Sequence, residues 1–476
     1  MLRFTTLLLV LSGSALSTNQ ETFRLSFGQK GLDWFETVVA TVNDILRDVI
    51  MSGLVIPPMD MNGVEVDNLK MRDMDLPKPD LSIVPGSGYK LNANGLNMVI
   101  DGEWAFGFLG GDLTVNTKLN LEAIARVDAD MKNGKFRTSA KACDVDFVSL
   151  EIDMGNELLN TIAEGMVEDV KGEIAGIVCK EVNTALDTGI NSLLLAIPSE
   201  VKLHLLQDII FTFAPDSDPI YSADHVDVPC RVHAKSKVPF PFAPQGITDS
   251  LDPEFIGCVL LSDYLVNSVS FLALGKGKIR ESIPNKKFPI GSDLTNTAYF
   301  KKSLPQLYKK YPNKDVTYTI TNTRFPKLEF DKGLQMIDVP LRVLVKVDGA
   351  TIINLKLSLK TRGDLAIRGT KITGTCEEIK TKTVVVSSKI GDIDADVAND
   401  IMDDIFLKTI IPDVNAFFKK GFNLPCVDKV ITTKRALAQT HDDYLRVCGD
   451  FALTDYTLDV VRTEIEKIVA NFTFDF

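Results

Sequence analysis

The amino-acid sequence predicts an α+β protein built from two similar domains. Its 476 residues exceed the roughly 250 to 300 at which a single hydrophobic core stops growing. A helix, a set of alternating strands and a long helix follow one another in each half, which indicates a structural duplication. Between the halves, the proline-rich stretch from Val238 to Pro244 is typical of a linker. We therefore expect a signal peptide at 1–17, a first domain at 18–237, a linker at 238–249, and a second domain with its C-terminal tail at 250–476.

The N-terminus has the pattern of a secretory signal peptide. Arg3 precedes an apolar run from Leu7 to Leu11, and small residues follow from Ser12 to Ser17. No later stretch approaches the roughly 20 consecutive apolar residues of a membrane helix. We expect a secreted, extracellular protein.

Composition and charge narrow the choice of partners. The chain is 45% hydrophobic and 24% charged, with a formal net charge of −12, which is ordinary for a globular protein. Between Thr18 and Leu203 there are 16 basic and 29 acidic residues, so the first half carries the acidity. Because no basic run could neutralise phosphates, nucleic acid is excluded as a partner.

Seven cysteines in an exported chain indicate disulfides plus one remaining thiol. None of them has the two-residue spacing of zinc sites, so we expect no metal. They are Cys143, Cys179, Cys230, Cys258, Cys376, Cys426 and Cys448.

The first domain should open with an amphipathic helix from Leu32 to Met51, whose apolar residues recur every three or four positions. From Leu91 to Ile152 the period becomes two, which predicts an antiparallel meander with one buried face. That face includes Trp104, Phe106 and Phe108. Turns are expected at three glycine-containing pairs: Asp101-Gly102, Gly110-Gly111 and Asn133-Gly134.

A long helix should close the first domain. Apolar residues stand at every fourth position from Leu158 to Ile190 without interruption. Four residues turn roughly 40° beyond a full circle, so the apolar stripe winds around the helix axis. Gly165, Gly172 and Gly176 would permit bending.

The second domain repeats this order. A helix is predicted from Ser262 to Leu274, and alternating strands follow between Leu341 and Leu359, with turns at Asp348-Gly349 and Arg362-Gly363. A second long helix is predicted from about Asp394 to Lys420.

Several segments resemble the family of bactericidal/permeability-increasing, lipopolysaccharide-binding and plasma lipid-transfer proteins. Gly31 to Trp34 resembles the start of the mature family members, and Leu81 to Pro85 followed by Gly102 to Trp104 resembles their first strands. Leu261 to Tyr264 with Asn267 is similar to the signature of their second domain. The closing segment of the family is similar to two further stretches: Gly421 to Pro425 and His441 to Tyr444.

This resemblance implies an elongated boomerang of two barrel domains, each a twisted antiparallel sheet wrapped around a long helix, joined by a central sheet. Each barrel would enclose an apolar tunnel for lipid acyl chains. The placement of Cys143 and Cys179 matches the shared disulfide of the family. The resemblance leaves five cysteines unassigned: Cys230, Cys258, Cys376, Cys426 and Cys448.

The candidates for the lipid-binding walls are apolar residues on the predicted helices. Most buried apolar residues contact only protein, so ordinary core packing is the competing interpretation for each one. The candidates are Val38, Val42, Ile45, Val49, Ile174, Val178, Val182, Leu265, Val269, Leu272, Val397, Ile401 and Ile405.

The remaining motifs give weaker evidence for a functional site. The aspartates from Asp392 to Asp403 have calcium-loop spacing, but Val397 stands where that loop needs glycine. Carboxylates stabilising a helix N-terminus are the better interpretation. None of the four histidines and no serine lies in a recognised catalytic motif, so we predict a protein that is neither an enzyme nor dependent on a cofactor. Asn471 is the single glycosylation sequon.

Three functions therefore compete. Binding and transfer of phospholipid or another long-chain lipid is the leading one. Recognition of lipopolysaccharide or a membrane surface in innate antibacterial defence is the alternative, although the acidic first domain departs from the basic first domain of bactericidal members. A local patch at Lys132, Lys135, Arg137 and Lys141 could still engage an anionic headgroup. A secreted lipid hydrolase, with a triad assembled from distant residues, is the remote third.

Overall fold

The computed structural model describes most of the chain between residues 21 and 453. Several features considered in the sequence analysis lie outside the described residues, among them the signal peptide, Cys426, the sequon at Asn471 and the C-terminal tail. The described residues are 21–41, 47, 56, 58–61, 63–155, 157–184, 186, 191–196, 199–204, 208–275, 280–283, 293–331, 334–368, 371–420, 422–423 and 431–453.

The first unit is a curled antiparallel sheet packed against helices. Its strands are β2 (Met59–Met61), β3 (Val64–Asp75), β4 (Asp80–Val84), β5 (Gly88–Phe106), β6 (Leu109–Asp130) and β7 (Lys135–Asp153). They pair in the order β2-β3-β5-β6-β7, and β4 pairs with β5. Helix α1 (Gln29–Thr41) precedes these strands, and the described part of the helix predicted from Leu32 belongs to it. The helices that follow are α2 (Glu157–Glu164), α3 (Val167–Thr184) and α4 (Asn191–Ala196).

The predicted meander is present, but two of its predicted turns are wrong. Asp101-Gly102 lies inside β5 and Gly110-Gly111 lies inside β6, whereas the connecting turn is Gly107-Phe108. Glycine is used here for close approach, because a Cβ at Gly102 would lie 2.7 Å from the Leu69 side chain. Trp104 is buried, whereas Phe106 at the end of the strand and Phe108 in the turn are exposed, so the expectation that all three belong to the buried face is wrong.

Among the described residues, the predicted long helix is interrupted at Gly165-Met166, and Gly165 is one of the three glycines at which bending was expected. There the backbone N–H of Met166 donates to Ala163 O, three residues back, as in a tighter turn. Glycine is a poor helix former, which explains why the break falls at this point. The helix resumes as Val170 N–H donates to Met166 O.

The second unit repeats the first and also contains a short helix, α6 (Pro305–Lys310). Its strands are β13 (Arg280–Ile283), β14 (Val316–Asn322), β15 (Lys327–Asp331), β16 (Leu334–Val347), β17 (Ala350–Arg368), β18 (Lys371–Ser388) and β19 (Phe422–Asn423). They pair in the order β13-β14-β16-β17-β18-β19, with β15 on β16. The short strands β4 and β15 therefore occupy equivalent places, and the predicted duplication is confirmed.

The predicted second long helix is confirmed with one irregularity. It consists of α7 (Ala395–Ile405), a π-helical turn (Phe406–Ile410) and α8 (Ile411–Lys420). Asp394 caps its N-terminus by accepting from Asp396 N–H and Val397 N–H, in agreement with the capping interpretation of the aspartate run. The predicted turn at Asp348-Gly349 is present. Arg362-Gly363 instead forms a bulge within β17.

In both units an asparagine on a helix binds the neighbouring edge of the sheet. Asn191 accepts from Thr138 N–H at 2.6 Å and donates to Thr138 O at 3.1 Å. Asn415 makes the same pair of bonds to Cys376, also at 2.6 and 3.1 Å. These amides satisfy strand backbone groups that would otherwise lack partners beneath a helix.

A third sheet joins the two units. It contains β1 (Phe23–Gly28), β8 (Glu200–His204), β9 (Asp208–Pro215), β10 (Ile220–Tyr221), β11 (His225–Ala234), β12 (Gly257–Ser262), β20 (Ile431–His441) and β21 (Tyr444–Leu453). Strand β1 pairs with β11 on one side and β12 on the other. The sheet therefore takes strands from both sides of the predicted linker. The predicted α+β class, with two similar units and a central sheet, is confirmed.

The predicted linker is packed rather than free. Phe240 and Phe242 contact Tyr264, Phe271 and Phe325, with ring centroids 5.3 to 6.5 Å apart. Offset and edge-to-face ring contacts of this kind stabilise a cluster. The domain boundaries themselves stay a prediction.

Two disulfides are present among the described residues. Cys143 in β7 is bonded to Cys179 in α3, as the family resemblance implied. Cys258 and Cys448 are opposed in β12 and β21 and form the second bond. Cys230 and Cys376 are free thiols, and burial raises the pKa of the Cys230 thiol to about 12. Such a thiol is a poor nucleophile.

The predicted helix at Ser262 is confirmed as α5 (Asp263–Ala273), with Ser262 as its N-cap. The side chain of Asn267 binds both backbone groups of Leu328 in β15, each at 2.8 Å. Burial of Asp263, reinforced by the carboxylate of Asp443, raises the pKa of the Asp263 carboxyl to about 6.

We predict that Asp263→Asn stabilises the protein at pH 7.5 and has little effect at pH 4. The folded pKa of about 6 lies above the ordinary 3.8, so the charged form is disfavoured only in the folded state, and its penalty grows as pH rises from about 4 to 6. The gain should be about 3 kcal/mol, since the folded pKa lies roughly two units above the ordinary value and each unit corresponds to about 1.4 kcal/mol. Urea unfolding at both pH values measures it, with Asp112→Asn as an exposed control. A gain that is equal at both pH values would contradict the account.

Candidate functional site

Each unit contains an apolar cavity between its helix and its sheet. The cavity of the first unit has a volume of about 20 Å³. Its walls are almost entirely aliphatic: Ile56, Val66, Leu69, Ile100, Trp104, Leu113, Val115, Ile152, Met154, Met166, Val170 and Ile174.

The cavity of the second unit occupies the equivalent place. Its volume is also about 20 Å³. Strands β14, β16 and β17 and helix α7 contribute to its walls, as β3, β5, β6 and α3 do in the first unit. The residues are Phe300, Leu304, Leu307, Tyr318, Val345, Ile353, Leu355, Ile393, Ala398, Ile401 and Met402. A small apolar void therefore lies at the same place in both units.

Polar groups in these walls differ between the units. Tyr318 in the second cavity donates to Leu294 O at 2.7 Å. Trp104 in the first is 6% exposed, and its indole Nε1 has no hydrogen-bond partner among the described residues. The ring lies against Gly111, where a Cβ would be 3.3 Å from Nε1. A buried donor without an acceptor costs about 1 to 3 kcal/mol.

The described wall residues offer no side-chain partners that would hold a water molecule at this donor. A volume of about 20 Å³ is enough for one water molecule, but an ordered water needs two to four polar partners. The aliphatic side chains around Trp104 offer none. An unpaired N–H donor in an apolar wall instead suits a ligand that is mostly hydrocarbon and carries an oxygen acceptor.

The sequence-predicted wall residues are placed unevenly. Ile174 lines the first cavity and Ile401 the second. Val178 and Val182 are half-buried against the same core as Ile174, and Val397 and Ile405 belong to the core around Ile401.

The remaining candidates lie elsewhere. Leu265, Val269 and Leu272 pack beside the central sheet with residues such as Val232 and Phe211, and they do not belong to either cavity wall given above. The side chains of Val38, Val42, Ile45 and Val49 lie outside the described residues. A role for any of these residues in lipid binding stays a prediction.

Many of the cavity-wall residues that the sequence analysis did not identify lie on strands. Val345 and Leu355 belong to the alternating runs between Leu341 and Leu359, so the period of two marked them as buried. No local sequence signal distinguishes a residue in a cavity wall from one in a fully packed core. That difference depends on how the helix packs across the sheet.

The predicted basic patch lies at the β6–β7 turn, near the central sheet. Lys141 is 3.5 Å from Asp128, and Lys135 donates to Leu195 O at 3.3 Å. In the same turn the pKa of Asp130 is lowered, mainly by hydrogen bonds from Asn133, with smaller contributions from the backbone N–H of Lys132 and the charge of Arg137. Acidic groups thus partly neutralise the patch.

Two further properties concern metals and membranes. Within the described ranges, no group of three or more histidine, cysteine, aspartate or glutamate side chains could hold a metal ion. None of the helices in the described part of the chain is long and apolar enough to cross a membrane.

Comparisons with known proteins agree with the duplicated architecture. A family model described as the N-terminal domain of the LBP / BPI / CETP family matches residues 33–194, and its C-terminal counterpart matches residues 218–453. The chain is 22% identical to the lipopolysaccharide-binding protein of Homo sapiens over 437 residues, which are 87% of this chain and 90% of the relative.

Other relatives are similarly distant. The bactericidal permeability-increasing protein of Rattus norvegicus is 20% identical over 442 residues, 88% of this chain and 91% of that protein. A putative BPI/LBP family protein of Arabidopsis thaliana is 22% identical over 459 residues, 90% and 91% of the two chains. A crystal structure of lipopolysaccharide binding protein covers 91% of this chain and 99% of its own, with 19% identity and a TM-score of 0.55. That likeness supports the fold.

Proposed function

Because the chain belongs to the LBP / BPI / CETP family, we propose that it is a secreted carrier of phospholipid or a similar long-chain amphiphile. The observation that supports this most is the pair of equivalent apolar cavities, one in each unit. Family membership supports binding of lipid or lipopolysaccharide, and the family consists of lipid-binding proteins rather than enzymes. The choice between these ligands is our proposal.

Binding must widen the cavities. Each acyl methylene transferred from water contributes about 0.8 kcal/mol, so a chain of ordinary length binds tightly with few polar contacts. A volume of about 20 Å³ is far smaller than such a chain. Met166 and Met402 line the two cavities from the helix side, and methionine is unbranched and adapts its shape readily. We propose that these side chains and their helices move outward when lipid enters.

Lipopolysaccharide recognition is the alternative that the names of the relatives suggest. It would require attraction to phosphate groups, which a cationic surface provides. The first unit is acidic, and its basic patch is partly neutralised by Asp128 and Asp130. These charges favour a neutral or zwitterionic headgroup over an anionic one.

We predict that bulky residues in the cavities remove lipid binding one unit at a time. Val115→Phe should fill the first cavity and Val345→Phe the second, because both residues line them. Calorimetric titration with monomeric diheptanoyl phosphatidylcholine should give two sites in the native protein, one in each variant and none in the double variant.

The matched controls are Val148→Phe and Val384→Phe, which are 56% and 55% exposed and should keep both sites. Circular dichroism establishes that each variant is folded. Two sites in a folded double variant would refute the assignment of the cavities.

We also predict that Trp104 selects for ester oxygens. Its unpaired Nε1 would donate to the carbonyl of an acyl ester, and one such bond is worth about 1 kcal/mol, or somewhat under tenfold in affinity. The native protein should therefore prefer a diacyl phosphatidylcholine over its diether analogue by that factor. Trp104→Phe, which keeps an aromatic ring but lacks the donor, should bind both equally.

Trp34→Phe serves as the control for this experiment. The chain has two tryptophans, so this variant also leaves Trp104 as the sole fluorescent reporter of binding. An unchanged ester preference in Trp104→Phe would show that the indole does not contact the ester.

A further inference from the structure

The outer surfaces of the two units have opposite charge on equivalent strands. The paired parts of β6 and β7, residues 114–124 and 142–153, contain five acidic residues and one lysine. The paired parts of β17 and β18, residues 353–362 and 378–388, contain five basic residues and one glutamate. The duplicated fold therefore repeats the strand pair but inverts its charge.

The five acidic and the five basic side chains are all exposed. They alternate with buried residues such as Leu121 and Leu357, because successive residues of a strand point to opposite sides of the sheet. They therefore lie on the side of each sheet that faces away from its helix. The acidic face consists of Glu122, Asp144, Asp146, Glu151 and Asp153, and the basic face consists of Lys356, Lys360, Arg362, Lys380 and Lys382.

Within each face, like charges lie directly opposite one another on neighbouring strands. The register places Glu122 opposite Asp144 on the acidic face. On the basic face it places Lys360 opposite Lys380. Like charges in directly opposed positions destabilise a sheet. Lys90 offsets part of this repulsion through its ion pair with Glu122. A partner surface of opposite charge would relieve the repulsion on both faces.

Each face also has an exposed valine at an equivalent β-bulge. Val148 is the extra residue of a bulge in β7 and is 56% exposed. Val386 is the extra residue of a bulge in β18 and is 46% exposed, and Val384 beside it is 55% exposed. Protein interfaces combine an apolar centre with a polar rim. The two faces therefore match each other in apolar contacts as well as in charge.

Among the described residues, the two faces belong to separate sheets that a third sheet joins. Strands β7 and β18 pack against α3 and α7, the long helices of their own units. A second copy of the chain brings both complementary faces. A sulfated or phosphorylated polymer would match the basic face alone and would be repelled by the acidic one. The charge pattern thus favours a second copy as the partner.

We propose that copies of this chain associate, with the acidic face of one copy against the basic face of the next. Each contact pairs carboxylates with lysines and brings the exposed valines of the two copies together. Electrostatic complementarity of this kind determines which surfaces meet and speeds their encounter. The formal net charge of −12 makes copies repel one another in other orientations, which adds to the selectivity. This association does not depend on the proposed carrier function.

The test is sedimentation velocity of the full protein. The native protein should associate at about 20 mM salt and dissociate at about 500 mM, because salt screens exposed charges. Two charge-reversal variants should each weaken association by about tenfold or more. The acidic-face variant has Asp144→Lys, Asp146→Lys and Glu151→Lys, and the basic-face variant has Lys356→Glu, Lys360→Glu and Lys382→Glu.

An equimolar mixture of the two variants gives the most specific result. The intact acidic face of the basic-face variant then meets the intact basic face of the acidic-face variant, and the two reversed faces also match. Mixed complexes should therefore form at low salt although neither variant associates alone. A misfolded variant could not be restored in this way. A mixture that stays monomeric would overturn the proposal.

The matched control reverses three exposed charges on β3, which β5 and β6 separate from β7. It has Glu65→Lys, Asp67→Lys and Asp75→Lys, so its change in net charge equals that of the acidic-face variant. This control should associate like the native protein.

Two results with single proteins would also overturn the proposal. One is a native protein that is monomeric at low salt; if that monomer is retained on a sulfated polysaccharide, the basic face serves such a polymer. The other is association of both charge-reversal variants as strong as that of the native protein.

Discussion

The packing of one long helix across the inner face of a curled sheet is the interaction on which each unit depends. The sheet alone would expose an apolar face formed by residues such as Val66 and Val115, and the helix covers it with Val170 and Ile174. Each helix segment is also tied laterally to the edge of its sheet, by the Cys143–Cys179 disulfide and Asn191 in the first unit and by Asn415 in the second. A cylindrical helix does not completely fill the concave face of a curled sheet, so a cavity remains in the same place in both units.

The central sheet makes these two units one molecule. Strand β1 comes from the start of the chain, yet it lies between β11 and β12, and the Cys258–Cys448 bond fixes β12 to β21. Aromatic rings of the crossing segment, Phe240 and Phe242, fill the space beside α5. The central sheet therefore holds both units, each with its own cavity, on one continuous scaffold.

Much of this fold could be predicted from periodicity and local chemistry. Ser262 and Asp394 are where a helix N-cap is expected, and the repeated order of helix, meander and long helix is correct. The structural role of glycine was harder to predict, because glycine is used for more than turns. Gly102 allows close approach of a neighbouring side chain and Gly363 lies at a bulge, although turns were expected at both positions. The Cys258–Cys448 pair depends on β12 and β21 being neighbours in space, which residues 190 apart in sequence do not reveal. Leu265 has helical spacing like that of Ile174, yet only the tertiary arrangement places Ile174 at a cavity.

The most direct test of the carrier account is to purify the protein from a secretory host under native conditions, extract it with organic solvent, and identify and count the lipid by mass spectrometry. The account predicts phospholipid in stoichiometric amount, up to two molecules per chain, with zwitterionic headgroups enriched over anionic ones. Well-folded protein that emerges empty and takes up no phosphatidylcholine would contradict it, and the cavities would then be packing voids of the duplicated fold.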